Sequence, residues 1–203
     1  MIMIKTREDL KYYIQEDSKR NGLGGSYLRY RMNLMAGAEN AYAFKYLRLL
    51  RYAEYHYNNL SNPINKLLFY WYKVRLNHLG VKLHIRIPLN TCGYGLRLMH
   101  LSGGGGILLN VERVGNYCGF NAGVLLGNNN AKDARPTVGD YVAFGPGAKA
   151  FGKIEIGDNV FVASNAVVTR SVPSNSIVGG IPAKFIKEKK LEDNIVYTKY
   201  HIS

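Results

Sequence analysis

The sequence predicts a mainly β fold, a parallel β-helix of six-residue repeats over residues 81–184, preceded by an α-helical region over residues 1–80. Three observations carry this prediction. Apolar residues recur at helical spacing in the first region and at every sixth position in the second. Glycine and β-branched residues become frequent where the spacing changes. A tail over residues 185–203 completes the chain, which therefore divides into three segments.

The helical region carries recognisable helix and loop signals. Within residues 40–59, apolar and tyrosine side chains recur three or four positions apart, which is typical of a helix with one apolar face. The glycines clustered in residues 22–25 predict a loop before it. Pro63 directly after Asn62 predicts the start of a further helix, because proline is tolerated in the first turn. Gly80 is placed to cap that helix at its C-terminal end.

A strict period of six dominates residues 138–172. Two series of positions six residues apart hold only small or apolar side chains, namely Val138, Phe144, Ala150, Ile156, Val162 and Val168, then Val142, Ala148, Ile154, Val160, Ala166 and Val172. The same phase returns upstream at Val114, Phe120 and Leu126. Each hexad forms a short strand and a turn, and stacked triangular coils of three hexads join their inward side chains in one core. An antiparallel sandwich would alternate by two and does not explain the six-step.

Two segments depart from this repeat. Residues 128–136 interrupt the apolar pattern but keep its phase, which predicts a loop that leaves the coil, and such loops often carry function. The repeat ends near Pro173 and residues 178–184, after which a solenoid needs a cap over its open strand edges. The tail is expected to supply that cap, with a helix over residues 187–193.

The net charge of +13 lies mostly in the first half of the chain. Residues 1–90 hold 15 Lys and Arg against 6 Asp and Glu, whereas residues 91–203 hold 12 against 8. Such a basic field attracts anions, which include nucleic acid, anionic lipid and the phosphates of a small cofactor, and the alternative is a solvated basic surface. No zinc-finger, helix-turn-helix or RNP-like signature accompanies the charge, so nucleic acid is not expected as a partner.

The N-terminus and the cysteines favour a cytoplasmic protein. Charges begin at Lys5, so the first residues lack the apolar core of a signal peptide, and no run is long and apolar enough for a membrane span. The two cysteines, Cys92 and Cys118, are too few for a disulfide framework or a metal cluster. We expect both to be buried apolar residues in a reducing compartment, and we expect no metal site.

Four stretches resemble the left-handed β-helix acyltransferases, and within them the serine acetyltransferase-like group. They are residues 87–100 (IPLNTCGYGLRLMH), 107–127, 137–168 and 178–184 (VGGIPAK), which cover about half of the chain in a specific order and spacing. The resemblance implies left-handed coils, an exception to the usual crossover rule. It also implies a homotrimer, with a dimer of trimers as a further possibility. Acetyl-CoA would lie in the groove between subunits and serve as acetyl donor to a hydroxyl-bearing small molecule or sugar.

His100 is the candidate general base. Among the five histidines, His56, His78, His84, His100 and His201, it alone follows a strand-like stretch and precedes a glycine run, residues 103–106. An alcohol needs a base when it attacks a thioester, and the ordinary pKa of histidine near 6.5 suits that task. Context alone favours the alternative, a polar surface residue. The resemblance implies the catalytic role, because His100 matches the catalytic histidine of the serine acetyltransferases.

The resemblance also implies contacts to cofactor and acceptor. Gly145 and Ala163 would lie along the pantetheine arm of acetyl-CoA, since small residues at coil corners admit it. Lys184 is a candidate phosphate partner, with a solvated surface lysine as the alternative. Arg135 in the predicted loop is a candidate partner for a substrate carboxylate. The glycine run beside His100 is a candidate donor to the oxyanion of the reaction, and a flexible corner is the alternative.

Three positions depart from the serine acetyltransferase pattern. Met99 and Ile85 stand where the family has carboxylates, and Ala134 precedes Arg135 where the family has Arg-His. An unpaired substrate ammonium costs roughly 1–3 kcal/mol. The sequence therefore favours an O-acetyltransferase that acts on a sugar or polysaccharide precursor. Serine O-acetylation in cysteine biosynthesis is the alternative, and a non-catalytic scaffold that binds a partner through the basic helical region is a third hypothesis.

Overall fold

The computed structural model describes residues 3–129, 133–192 and 194. Four helices come first in these residues, and short strands follow. The helices are α1 (Arg7–Arg20), α2 (Tyr27–Met35), α3 (Glu39–Tyr57) and α4 (Pro63–Leu83). The strands are β1 (Ile85–Arg86), β2 (Arg97–Met99), β3 (Ile107–Leu109), β4 (Arg113–Val114), β5 (Gly119–Asn121), β6 (Val124–Gly127), β7 (Thr137–Val138), β8 (Ala143–Phe144), β9 (Lys149–Phe151), β10 (Glu155–Ile156), β11 (Phe161–Val162), β12 (Val167–Val168), β13 (Ser176–Gly179) and β14 (Lys184–Glu188). Within the described residues, none of the helices has the length and apolar character that crossing a membrane requires.

Side-chain caps begin three of the helices. A capping box of Thr6 and Asp9 starts α1, because each side chain accepts a hydrogen bond from the other residue's backbone N–H. Ser26 caps α2, and Asn62 caps α4 directly before the expected proline. By contrast α3 follows Ala38, whose side chain makes no capping hydrogen bond.

The expected helix end at Gly80 is wrong. Helix α4 continues for three more residues to Leu83, and His84 caps it in the left-handed conformation with φ 55°. Gly80 is inside the helix and packs against the backbone that follows. A Cβ at this position would lie 2.6 Å from the carbonyl oxygen of Ile85 and 3.3 Å from the ring of Tyr46. Glycine is needed at position 80 for close packing, not for a cap.

The strands form the three faces of a parallel β-helix. Face A consists of β1, β3, β6, β9 and β12, face B of β4, β7 and β10, and face C of β2, β5, β8, β11, β13 and β14. Neighbouring strands are parallel except for β13 and β14. Ala143 pairs with Phe161, eighteen residues later, which is one coil of three hexads. Gly119 pairs with Ala143, twenty-four residues later, so the loop at 128–136 adds one hexad's length and preserves the phase.

The inward positions of the repeat form the core, as the six-step predicts. All twelve side chains of the two series over 138–172 are at most 9% exposed. On face C the rings of Phe120 and Phe144 stack with centroids 5.4 Å apart. The core extends into the helical region, because Leu47 and Leu50 of α3 belong to the same buried cluster.

The tail begins with a strand rather than a helix, so the expectation of a helix over 187–193 is wrong. Strand β14 folds back antiparallel onto β13, where Gly179 pairs with Lys184 and Ser176 with Glu188. The unpaired backbone groups of β13 explain this, because a strand satisfies them and a helix does not. Position 193 and residues 195–203 lie outside the described part of the chain.

A buried ionic network joins the helices to the first coil. The Arg51 guanidinium of α3 is fully buried and donates to the carboxylates of Asp17 (2.9 Å) and Glu54 (3.0 Å). It also donates to the backbone carbonyls of Cys92 and Gly93. Asp17 in turn accepts the backbone N–H of Leu96 at 2.9 Å. The helical region and the solenoid are therefore held together by charged groups without access to water.

Candidate active site

One edge of the solenoid, where the chain turns from face C to face A, is built from small residues. We call it the C–A edge, and its corner segments are residues 122–123, 145–147 and 163–165 in successive coils. The corners stack through backbone hydrogen bonds, from Gly147 N–H to the Ala122 carbonyl at 2.9 Å and from Asn165 N–H to the Pro146 carbonyl at 2.8 Å. Small residues are needed for this stacking. A Cβ at Gly145 would lie 2.7 Å from the Ser164 nitrogen.

His100 occupies the C–A edge in the first coil. It follows β2 directly, takes the left-handed conformation with φ 58°, and precedes a 3-10 turn over Leu101–Gly103. Its side chain is exposed. The residue before it pairs with the next coil, since the Met99 carbonyl accepts the Ala122 N–H at 3.0 Å. His100 is thus an exposed residue in the coil next to the column of small residues.

Glu39 holds the turn that follows His100. This partly buried carboxylate accepts the Ser102 hydroxyl at 2.6 Å and the Ser102 backbone N–H at 3.1 Å. Partial burial opposes its ionisation, but hydrogen bonds from the Ser102 hydroxyl and from the backbone N–H groups of Ser102, Leu101 and His100 outweigh that effect and lower the pKa of Glu39. A carboxylate at the first position of α3 therefore fixes the backbone that carries His100.

Sequence reasoning missed Glu39, and little in the sequence identifies it. The residue is an ordinary acidic side chain in the first turn of a helix, which usually indicates only a favourable interaction with the helix dipole. Its partner Ser102 is 63 residues away in the chain. The one local signal is that Ala38, before α3, cannot cap the helix with its side chain, and this signal does not indicate which residue Glu39 contacts.

The structure brings four of the predicted site residues to one edge. Gly145 and Ala163 lie on the C–A edge, two and three coils from His100. Lys184 follows the turn that closes this edge in the last coil, where the Gly180 carbonyl accepts the Val167 N–H at 3.0 Å. Lys184 is exposed. Four strand spacings of about 4.8 Å separate the coil of His100 from that of Lys184, a span of roughly 19 Å.

Arg135 lies on a different corner of the solenoid. It is at the end of the 128–136 loop, between face A and face B, and its guanidinium donates to the exposed Glu112 carboxylate at 2.6 Å. Residues 130–132 of this loop are outside the described part of the chain. Within one chain the corner of Arg135 is therefore separate from the C–A edge, and its role toward a substrate carboxylate stays a prediction.

The remaining histidines and the cysteines have structural surroundings. His56 is buried and its Nδ1 lies 2.8 Å from the Asn65 side-chain oxygen, and His84 ends α4. Both cysteines are buried and free, as expected. Burial raises the pKa of Cys92 to about 12 and raises the pKa of Cys118 as well, so neither thiol is a ready nucleophile. His201 lies outside the described residues.

No cluster of three or more metal-ligating side chains occurs within residues 3–129 and 133–192. Imidazole and carboxylate groups are present on the C–A edge at positions 100 and 39. The Glu39 carboxylate is bonded to Ser102 in the turn, and the His100 imidazole is exposed. An exposed imidazole can transfer protons near neutral pH.

Curated relatives support the resemblance. A serine acetyltransferase of Synechococcus elongatus is 38% identical over 109 residues, which are 53% of this chain and 43% of the relative. A serine acetyltransferase of Staphylococcus aureus is 33% identical over 125 residues, 61% of this chain and 56% of the relative. The chain thus spans about half the length of the curated relatives it matches. No protein-family model matches the sequence.

Solved structures share the fold. Neisseria gonorrhoeae serine acetyltransferase aligns with 93% of this chain and 71% of its own, with a TM-score of 0.66 and 22% identity. A serine acetyltransferase in complex with CoA aligns with 89% of this chain and 71% of its own, with a TM-score of 0.62 and 24% identity. A serine acetyltransferase in complex with cysteine is 27% identical, covers 72% of this chain and 58% of its own, and has a TM-score of 0.55.

The fold is the β-helix that the solved serine acetyltransferases share. The predicted fold class, a left-handed parallel β-helix preceded by helices, is confirmed. In sequence, the chain is similar to serine acetyltransferases over about half of their length.

Proposed function

We propose that this chain is an acetyl-CoA-dependent O-acetyltransferase with His100 as general base. The observation that carries the proposal is the position of this exposed imidazole above a column of small residues, in a chain whose relatives are serine acetyltransferases. His100 accepts the proton of the acceptor hydroxyl while the hydroxyl oxygen attacks the thioester carbonyl. The tetrahedral intermediate then collapses, the carbon–sulfur bond breaks, and the imidazolium returns its proton to the departing CoA thiolate.

The glycine run beside His100 supplies candidate donors for the oxyanion of that intermediate. Within the described residues, the backbone N–H groups of Gly104, Gly105 and Gly106 donate to no protein acceptor. All three residues have positive φ values, between 64° and 85°, which glycine adopts without strain. Backbone donors held in this way are suited to charge that develops during acyl transfer.

The C–A edge suits the pantetheine arm and phosphates of acetyl-CoA. A related structure is a complex with CoA. In our proposal the acetyl group lies at His100, the arm follows Gly145 and Ala163, and Lys184 meets the phosphates. Arg135 reaches an acceptor at His100 only from a neighbouring subunit, since it lies on a different corner of its own chain. The proposed assembly is therefore the homotrimer that the resemblance implies.

Serine is the acceptor that the comparisons favour. The relatives are serine acetyltransferases, and they support this alternative of the sequence analysis better than the sugar that it prefers. A sugar hydroxyl stays the second candidate on one observation. Met99 and Ile85 offer no carboxylate to a substrate ammonium, and Arg135 already has a carboxylate partner in Glu112.

A thiol-release assay with acetyl-CoA tests the proposed function. It compares L-serine with a panel of sugars and nucleotide-sugars at equal concentrations. Turnover with serine supports serine O-acetylation, and turnover with sugars alone supports sugar O-acetylation instead. If no alcohol in the panel raises CoA release above the rate of hydrolysis, the proposed activity is contradicted and the non-catalytic scaffold is favoured.

Filling the C–A edge at Ala163 is expected to weaken acetyl-CoA binding without unfolding the chain. Ala163 is half-buried, and its methyl group already lies close to Gly179. Ala163→Leu adds a branched side chain along the proposed path of the arm. We expect KM for acetyl-CoA to rise about tenfold with an unchanged KM for the acceptor, a change of about 1.4 kcal/mol. The control is Val167→Leu on the adjacent strand of face A, and an equal effect of both variants would contradict this path.

Glu39 is expected to act as a positioning residue for His100. Glu39→Ala removes the acceptor of the turn, and we expect kcat to fall about tenfold to a hundredfold because small displacements of a catalytic group are costly. KM for acetyl-CoA should stay constant. Glu39→Gln keeps one acceptor oxygen and should restore part of the rate. Glu8→Ala, an exposed carboxylate of α1, is the control. A rise in KM without loss of kcat would contradict the positioning role.

A further inference from the structure

A cleft of about 770 Å³ lies within the helical region, away from the C–A edge. Helix α3 forms its floor, α1 forms one wall, and the start of α4 with residues 25–27 forms the other. All of its lining residues fall between positions 7 and 68. It therefore belongs to no part of the proposed acetyl-transfer site.

The charge of this cleft is entirely positive. Three cationic side chains line it, Arg7, Lys11 and Arg48, and no carboxylate does. This concentrates part of the basic surplus of residues 1–90 at one place. Arg48 contrasts with Arg51, one helical turn further on. Arg51 is paired with two carboxylates, whereas within the described residues Arg48 makes no ion pair.

Tyrosine rings hold the Arg48 guanidinium in place. Its central carbon lies 5.2 Å from the ring centroid of Tyr30, 5.5 Å from that of Tyr27 and 5.9 Å from that of Tyr52. Tyr52 is itself fixed by stacking on Tyr72, with centroids 4.9 Å apart. A guanidinium oriented by rings keeps its N–H donors available for an anion and loses little entropy on binding.

Flat aromatic surface is also available to a ligand. Tyr27 lines the cleft and is 61% exposed, and Tyr55 of α3 lines it as well. The volume is within the range of about 300–1,000 Å³ that is typical of sites for drug-sized ligands, so an inorganic anion alone would leave most of it empty. The cleft thus combines a site for a charged oxygen group with room and ring surface for a planar group.

We infer that this cleft binds a nucleotide, with its phosphates on Arg48, Arg7 and Lys11 and its base against the tyrosine rings. Guanidinium forks match phosphate oxygens, and aromatic faces stack on nucleobases. The inference is independent of the proposed acetyl transfer. It identifies a second ligand site for a phosphorylated, ring-bearing molecule in the helical region.

Calorimetric titration of the wild type and of Lys184→Ala with UDP and with ADP tests this site, because Lys184→Ala removes the proposed phosphate contact on the C–A edge. We expect one nucleotide bound per chain, with the same affinity in both proteins. Arg48→Ala should weaken binding about tenfold or more, as the loss of a charge-assisted contact predicts. Lys11→Gln changes an exposed residue and should weaken binding several-fold. Arg170→Ala, an exposed arginine on the solenoid, is the matched control and should have no effect.

Four results would overturn the inference. They are the absence of binding by both nucleotides at millimolar concentration, loss of binding in a folded Lys184→Ala variant, unchanged affinity in a folded Arg48→Ala variant, and equal affinity for inorganic phosphate. Thermal melting of each variant verifies its fold. If Arg48→Ala does not fold, Lys11→Gln decides. Acetyl-transfer activity is measured separately, so failure of one proposal leaves the other to its own test.

Discussion

Replacing His100 with alanine is expected to lower kcat for acetyl transfer by about 10²- to 10⁴-fold, the usual contribution of a positioned general base. The imidazole is exposed at the head of the C–A edge, so the substitution removes the base without opening a cavity. KM for acetyl-CoA should change little, because the proposed cofactor path lies along Gly145 and Ala163. Thiol release measured with the acceptor that the first assay identifies is the test.

The matched control is His78→Ala, because His78 is an exposed histidine on α4 away from the C–A edge. It should retain full activity. Equal rates of thiol release by wild type and His100→Ala would mean that another group removes the proton, and the proposed mechanism would then be wrong. Equal thermal melting of both variants excludes an effect through folding.

Replacing Arg51 with methionine is expected to destabilise the fold by about 3–5 kcal/mol, because it leaves two buried carboxylates without a counter-charge. Asp17 and Glu54 are fully buried or nearly so. The backbone carbonyls of Cys92 and Gly93 lose their donor at the same time. Urea unfolding of the two proteins measures the difference.

The effect of Arg51→Met should also depend on pH. Burial raises the pKa of Asp17 and of Glu54 above the ordinary values, and the Arg51 guanidinium opposes this rise. Without that guanidinium, mainly backbone hydrogen bonds still favour the charged forms, so the pKa of each carboxyl rises further above its unfolded value. A raised folded-state pKa means that stability is retained at acid pH and lost as pH rises through the new value. The deficit should therefore be larger at pH 8 than at pH 5.

Two comparisons make the Arg51 result interpretable. Arg113→Met, an exposed arginine on face B, should change the free energy of unfolding by less than about 0.5 kcal/mol. Adding Asp17→Asn and Glu54→Gln to Arg51→Met should recover part of the loss, since neutral amides cost less to bury than unpaired charges. A pH-independent loss, or no recovery in the triple variant, would contradict the electrostatic explanation.

The repeating half of the molecule could be predicted from the sequence because each hexad meets the same surroundings. Val138 and Val162 are both inward because every coil stacks on an equivalent coil, so local pattern and tertiary position coincide. The helix that begins at Pro63 was also predictable, since caps and prolines act within a few residues.

The remaining features depend on contacts that no local pattern encodes. Gly80 fits a helix cap by its position, but the carbonyl of Ile85 approaches it in the folded chain. The tail fits a helix by composition, but the open edge of β13 selects a strand. Glu39 and His100 are brought together only when α3 packs on the first coil. The structure at each of these positions depends on a neighbour that is distant in the chain or that occurs only at one end of the repeat.

The different lengths of the coils have a consequence for how this protein can change over generations. One coil is lengthened by six residues at 128–136, and the first coil is longer than eighteen residues by four, because Arg97 pairs with Gly119. Both extensions leave at corners, while the strands on the faces keep their partners. Insertions and deletions at a corner therefore alter the surface loops of the solenoid without disturbing its buried core. If the proposed acetyl transfer is correct, a new acceptor specificity can evolve by changing loop length alone, with no compensating substitution in the core.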